Sequence, residues 1–212
     1  MIVKNDNHDS SEKLNEIIFA GRSNVGKSSI IRIITGKKVK VGKRPGVTLK
    51  PTSIQYPDFL ITDMPGFGFM SGVKERKQDI VKDKIIKYIE TNTSRIKLAV
   101  LVVDGSSFNE IVERWNSRGQ IPIDIEMFDF LNEISIPVII AINKADKIDP
   151  DRMDDVIDDI VEKFGLLPPW RQWIDQVAVI SAKKNAIEPL TKLIRNRLQA
   201  CGRNDLIKHL RY

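Results

Sequence analysis

The 212-residue sequence has one cysteine, Cys201, so no internal disulfide can form. Without a Cys or His beside it at ligand spacing, Cys201 cannot anchor a zinc site either. Both absences are those expected of a chain living in a reducing cytoplasm, with Cys201 inert. Long hydrophobic runs are missing too. The longest apolar stretches, Leu98 to Val103 and Ile136 to Ile142, fall far short of the ~18 residues a membrane span needs. The polar start from Met1 to Glu12 has no signal-peptide core, so no membrane partner is expected. Internal repeats, low-complexity tracts and interdomain linkers are also lacking, and acidic residues are absent from one stretch. Between Gly36 and Pro57 stand Lys37, Lys38, Lys40, Lys43, Arg44 and Lys50 without a single carboxylate. Such a run is either a solvated face or a surface for an anionic partner.

What is present fits a folded domain. Hydrophobic residues at 42% and charged residues at 29% are near globular averages, and this length can bury a real core. The net charge is +6, and its distribution is uneven. Ser181 to Tyr212 carries eight basic and two acidic residues, whereas Asp146 to Glu162 carries eight acidic and two basic. The acidic segment has the Met153, Val156, Ile157, Ile160, Val161 spacing of an ordinary amphipathic helix.

Apolar runs at Glu16 to Ala20, Leu60 to Thr62, Leu98 to Val103, Val138 to Ile142 and Val177 to Ile180 read as strands alternating with helical segments. Helices are expected over Lys27 to Thr35, Arg76 to Glu90, Asp124 to Ile134, Asp151 to Phe164 and Ile187 to Cys201. This alternation argues for a parallel sheet covered on both faces. Thr52 to Tyr56 is the exception, because the Pro57-Asp58 turn to Phe59 is too short for a crossover and forces an antiparallel hairpin. The expected fold is therefore α/β in three layers, with a six-stranded, mostly parallel sheet, one antiparallel edge strand and helices on both faces. Ser106 to Pro122 is a long connection whose Trp115 belongs to a short helix, Asn109 to Trp115.

Gly21-Arg22-Ser23-Asn24-Val25-Gly26-Lys27-Ser28 has the spacing of a phosphate-cradling loop, and it lies between an expected strand and an expected helix. Gly21 and Gly26 permit backbone conformations and close approach that a side chain would block, so that successive N–H groups face phosphate oxygens at a helix N-terminus. Ser29 continues the motif. Lys27 neutralises the β and γ phosphates, and the Ser28 hydroxyl is a magnesium ligand. The strand ending at Thr62 delivers Asp63-Met64-Pro65-Gly66, with a carboxylate for the magnesium shell and a glycine N–H for the γ phosphate. Thr48, in the Pro45-Gly46-Val47-Thr48 loop between the first helix and the hairpin, is the second expected magnesium-ligating hydroxyl. Lys27, Thr48 and Gly66 are thus the catalytic candidates; Ser28, Thr48 and Asp63 are the metal candidates.

Base choice rests on Asn143-Lys144-Ala145-Asp146 at the end of the fourth parallel strand. Guanine presents two adjacent donors, N1–H and the 2-amino group, and the Asp146 carboxylate accepts both; adenine has no such pair. Asn143 ties the loop together and approaches N7, while the Lys144 stem covers the base face. Ser181-Ala182-Lys183 follows the last strand, where it offers a backbone N–H to the guanine oxygen.

This order of motifs resembles the translation-factor class of small GTPases from about Glu16 to Leu198. Within it, Gly-Arg-Ser-Asn-Val-Gly-Lys-Ser-Ser and Asp-Met-Pro-Gly-Phe-Gly-Phe resemble the EngB (YihA) family of P-loop GTPases. The family pattern has Thr where Met64 stands and Tyr where Phe67 and Phe69 stand, and Ser106 to Pro122 is longer than in bacterial members. The resemblance implies a polar segment over residues 1–15, an EngB-type G domain over 16–200 and a basic C-terminal tail over 201–212. It implies a monomeric, cytoplasmic GTPase that binds GTP or GDP with Mg2+, acts in large ribosomal subunit assembly through ribosomal RNA or protein, and is linked to cell division and septation. Asn24 stands where some potassium-stimulated GTPases have Asn, which makes K+ a candidate cofactor. Phe67 occupies the position of the water-orienting glutamine of many GTPases and has no polar group, so hydrolysis is either slow or assisted. A guanine-nucleotide-gated binding module with negligible turnover, acting on another partner, is the alternative.

Overall fold

A computed structural model of the chain describes residues 14–37, 51–67 and 75–211. Within these residues β1 (Asn15–Ala20) leads into α1 (Lys27–Thr35), followed by the hairpin of β2 (Thr52–Gln55) and β3 (Phe59–Asp63) and by α2 (Glu75–Asn92). Then come β4 (Ile96–Asp104), α3 (Phe108–Asn116), α4 (Ile123–Glu133), β5 (Val138–Asn143), α5 (Met153–Lys163), β6 (Val177–Val179) and α6 (Glu188–Ala200). The strands lie in the order β2-β3-β1-β4-β5-β6. The β2–β3 pair is antiparallel, with Ile54 opposite Ile61, and the other pairings among the described residues are parallel. The expected mixed sheet is the observed one.

Side chains alternate across the strands and build two apolar layers. Ile17, Phe19, Leu98, Val100 and Val102 face Ile30, Ile31 and Ile34 of α1 and Leu190, Ile194 and Leu198 of α6. Ile18, Ala20, Ala99, Leu101 and Val103 face the opposite layer, which contains Val81 and Ile85 of α2, Val112 of α3, Leu131 of α4 and Ile160 of α5. Central strands with both faces covered read as continuous apolar runs rather than as alternation, which is why β4 is uniformly hydrophobic in sequence.

Local boundaries have local causes. α1 ends where Gly36 takes φ 67° and its N–H bonds to Arg32 O at 2.8 Å. The helix expected from Asp151 opens instead as a 3-10 turn, Pro150–Arg152, in which the Asp149 carboxylate accepts the Asp151 N–H at 3.1 Å before α5 begins. The basic C-terminal stretch folds back as a 3-10 helix over Asn204–His209. Its Leu206, with Leu210 after it, is buried in the α1–α6 layer, and the His209 ring stacks 4.2 Å from Tyr56 at the hairpin.

At the lower end of the sheet Glu16 is fully buried. Its carboxylate accepts from Tyr88 Oη at 2.7 Å, from Arg95 Nε at 2.8 Å and from Thr62 Oγ1, so β1, β3, α2 and the turn that leads into β4 are tied together by one charged group. A buried carboxylate is tolerated here because donors surround it. The strand order reverses around β1, so the crevice above the carboxyl ends of β1 and β4 is where a ligand of an open α/β sheet binds. No helix among the described residues is long and apolar enough to cross a membrane.

Candidate nucleotide-binding site

The turn after β1 needs residues with unusual backbones. Gly21 has φ 142°, Asn24 φ 67° and Gly26 φ 107°. A Cβ on Gly21 would lie 2.3 Å from Val102 O, and one on Gly26 2.3 Å from Asn143 Nδ2, so the loop lies directly against β4 and β5. Lys27, the first residue of α1, is turned back under this loop. Its Nζ donates to Gly21 O and Arg22 O, each at 2.9 Å. Burial pushes the ammonium down to about 8, against the opposing pull of Asp63 and Asp124. An ammonium has three donors, and two are spent on carbonyls that aim the third.

Asp63, at the end of β3, is buried and accepts a short hydrogen bond from Ser28 Oγ. Burial raises its pKa, with Lys27 and Ser28 opposing. Its Oδ1 is buried without a hydrogen-bond partner among the described residues. A hydroxyl and an under-satisfied carboxylate oxygen are hard donors of the kind magnesium takes alongside phosphate oxygens, so Ser28 and Asp63 fit that ion. Gly66 lies against the phosphate loop: a Cβ there would stand 2.5 Å from Ser23 Oγ and 2.8 Å from Ser23 Cα. The next residue, Phe67, pairs with Arg22 as an isolated bridge, with Ser23 N–H donating to Phe67 O at 3.3 Å and Phe67 N–H donating to Gly21 O at 3.4 Å. Its ring is buried in the layer beneath α2. A side chain so placed has neither the polar group nor the exposure to orient a water molecule.

The residues expected to read the base gather around Asn143, which is buried with both ends of its amide in use. Nδ2 donates to Val25 O at 2.7 Å, and Oδ1 accepts from Ala182 N–H at 2.9 Å. Asn143 therefore stitches the phosphate loop to the segment after β6, and the second hydrogen of its Nδ2 is not committed by these two bonds. The bond to Oδ1 commits the Ala182 N–H. Asp146 is exposed, and the Ser181 hydroxyl, donating at 2.5 Å, holds its pKa below the ordinary carboxylate value. Lys144 takes a left-handed φ of 66°, and its Nζ bonds Asp104 Oδ2 at 2.6 Å. Asn24, Ser29 and Lys183 are exposed at the rim. Gly46, Val47, Thr48 and Phe69 lie outside the described residues, as do Lys38, Lys40, Lys43, Arg44 and Lys50.

Two carboxylates that sequence reasoning passed over belong to this arrangement. Asp104 ends β4 and also accepts from Ser106 N–H at 3.1 Å and Ser106 Oγ at 2.7 Å. The signal available was a carboxylate at a strand's carboxyl end followed by Gly105, the pattern that singled out Asp63. Asp124, fully buried in the first turn of α4, faces Arg22 at 3.3 Å. In the sequence it reads as an acidic residue in the first turn of a helix, and nothing local marks it as buried.

A family model described as "50S ribosome-binding GTPase" matches residues 16–144. The chain is 60% identical over 195 residues to a Methanosarcina mazei protein described as "Probable GTP-binding protein EngB", covering 92% of this chain and 93% of that one. It is 47% identical over 200 residues to the protein of the same description from Methanopyrus kandleri, with 92% and 98% covered. Among solved structures, a crystal structure of a probable GTP-binding protein engB superposes with a TM-score of 0.78 at 48% identity, covering 87% of this chain and 99% of that one.

Proposed function

The chain belongs to the EngB family of P-loop GTP-binding proteins, and we propose that it is a magnesium-dependent GTP switch acting in large ribosomal subunit assembly. The observation that carries this reading is the Lys27–Ser28–Asp63 group, in which a buried ammonium, a half-buried hydroxyl and a buried carboxylate with one unsatisfied oxygen converge at the mouth of the phosphate loop. In this reading the loop from Gly21 to Gly26 offers N–H groups to the phosphates, Lys27 offsets their charge, and Gly66 and Thr48 meet the γ phosphate. Ser28, Asp63 and Thr48 hold the magnesium ion, which when bound neutralises charge across the β and γ phosphates. Asp146 accepts the two guanine donors, with Ser181 fixing its orientation. Loss of the γ phosphate then releases the segments around Thr48 and Gly66, which is the switching event.

The partner is proposed to be ribosomal RNA or protein, with the Lys37 to Lys50 run meeting an anionic surface. The protein works as a cytoplasmic monomer, and the link to cell division and septation follows through ribosome supply. Cosedimentation with ribosomal subunits tests this reading. Retention with a non-hydrolysable GTP analogue and release with GDP is the expected result, and equal behaviour with both nucleotides sinks it. Neutralising Lys37, Lys38 and Lys40 with Gln should flatten the salt dependence of that binding by roughly 0.7 to 0.9 in log-log slope per lost phosphate contact.

Turnover is slow unless assisted, because the Phe67 ring is buried and cannot act on water. This same burial favours a second reading, a nucleotide-gated binding module with negligible turnover acting on another partner. Asn24, exposed at the loop's rim with φ 67°, is proposed to hold a potassium ion beside the phosphates. Turnover that rises in potassium over sodium at matched ionic strength, and loses that difference in Asn24→Ala, supports the cation; no turnover in either salt leaves the binding-module reading standing.

A further inference from the structure

Asp124 is an unusual group for its position. It is the second residue of α4, where a carboxylate complements the helix dipole while remaining in water, yet here it is fully buried. Burial raises its pKa, and Arg22 opposes that rise through charge and hydrogen bonding. Removing a carboxylate from water costs several kcal/mol unless cations face it. The cations are in the phosphate loop: Arg22 Nη1 stands 3.3 Å from Asp124 Oδ2, and the Lys27 ammonium acts on the same carboxylate through space. Asp124 Oδ1 has no hydrogen-bond partner among the described residues, so Arg22 is the side chain it holds.

Arg22 is in turn gripped at several points. Its carbonyl receives Lys27 Nζ at 2.9 Å, its backbone forms the bridge to Phe67, and its guanidinium carbon lies 5.8 Å from the Trp115 ring centroid in α3. Asp124, Arg22, Asn24 and Lys144 line one cavity of about 80 Å³ between the phosphate loop and the β4–α3 turn. A residue whose side chain is fixed on one side and whose carbonyl aims an ammonium on the other transmits position from one group to the next.

We propose that Asp124 is a positioning residue for the phosphate loop: by holding the Arg22 guanidinium it fixes the Arg22 carbonyl that orients Lys27, and so raises the affinity for nucleotide phosphates. This rests on the reading of Gly21 to Ser28 as the phosphate site. Coulomb's law alone gives the opposite sign. A carboxylate near bound phosphates repels them, so a bystander Asp124 lowers nucleotide affinity and its neutralisation strengthens binding. Positioning predicts weakening. The two accounts are separated by the direction of the change, whatever its size.

The test uses the full chain with GDP and magnesium, followed by calorimetry. Asp124→Asn should raise the dissociation constant about tenfold, and the same substitution in an Arg22→Met background should add almost nothing, since coupled neighbours are not additive. With Trp170→Phe and Trp173→Phe in place, Trp115 emission should shift when Asp124→Asn frees the guanidinium above it. If Asp124→Asn folds poorly, Arg22→Met/Asp124→Leu removes the pair in favour of apolar groups, an exchange that buried pairs often tolerate, and should show the same weakening. Unchanged or tighter binding in the folded variants, with Lys27→Ala losing nucleotide, overturns the positioning role alone. Undiminished binding by Lys27→Ala overturns the phosphate-site reading and the positioning role with it.

Discussion

The two halves of the nucleotide site are built on opposite electrostatic plans. In the phosphate half the charged groups are buried and perturbed: Lys27 falls to about 8, while burial raises Asp63 and Asp124. In the base half Asp146 is exposed and held below its ordinary value by the Ser181 hydroxyl, and Asp104 is held low by Lys144 and Ser106 against the effect of its burial. Buried charges with an uncommitted atom, such as Asp63 Oδ1 and the third Lys27 N–H, gain when a ligand supplies the complement; charges already bonded by neighbouring side chains, such as Asp146 and Asp104, gain less. If the proposed site is right, the phosphate half should supply affinity and the base half discrimination. Asn143 joins them, because its amide bonds the phosphate loop at one end and the Ala182 N–H at the other.

The sharpest way to break this comparison is Lys27→Ala. Truncating a buried charged partner costs about 2–5 kcal/mol, so GTP and GDP affinities should both fall by roughly two to three orders of magnitude by calorimetry. A loss confined to GTP would show that the half is tuned to the γ phosphate instead. In the base half, Asp146→Asn should weaken GTP by about 100-fold and create affinity for xanthosine triphosphate, whose carbonyl replaces the 2-amino group, since unpaired polar groups at a specificity site are strongly rejected. Competition between the two nucleotides measures this, and an unaltered preference would remove Asp146 from the pocket.

A pH series compares the halves in the unmodified protein. Lys27 is charged below about pH 8 and neutral above it, and bound phosphate favours the charged form. Nucleotide affinity should therefore be level below that value and fall as pH rises, by up to about tenfold per unit. The slope should vanish in Lys27→Ala. The same lowered pKa has a sign for stability in the nucleotide-free protein. Folding disfavours the Lys27 charge, so this penalty is fully present below about pH 8 and is relieved as pH rises toward the unfolded value of 10.5. Denaturant titrations of the nucleotide-free chain on either side of pH 8 measure it.

The smallest effect belongs at the far end of the sheet. Tyr88→Phe removes one donor from Glu16, where Arg95 and Thr62 continue to bond it. The expected cost is about 1 kcal/mol of stability in a urea titration, with nucleotide affinity unchanged. A large change in affinity would mean that this network reaches the site through α2, which carries Tyr88.

Reading the sequence recovered the element order because periodicity and turn chemistry are local. The β2–β3 hairpin followed from a two-residue turn, and α1 matched from Lys27 to Thr35 because glycines stand at both its ends. The glycine turn after β1 was legible for the same reason, since its backbone needs glycines at fixed spacing within eight residues. That Asn143 ties segments together was legible, but its partners were not: Val25 O and Ala182 N–H are 118 and 39 residues away. That Phe67 carries no polar group was legible, while the burial of its ring in the layer beneath α2 was not.

The sequence by itself determined that β1, β3, β4, β5 and β6 run parallel and which residue types stand at their carboxyl ends. Those features depend on residue type and short spacing, which no packing alters. Tertiary structure decided which charges are dry. Asp124 and Asp146 are both acidic residues near the start of a helical turn, and although Asp146 stands in the Asn143-Lys144-Ala145-Asp146 pattern, nothing in the neighbours of either along the chain tells which of them is dry. One is fully buried facing Arg22, and the other stands in solvent beside Ser181. The difference arises because α4 is packed across the crevice beside the phosphate loop whereas the turn after β5 lies at its rim, and desolvation, unlike hydrophobic periodicity, is set by what comes to lie on top of a residue in space.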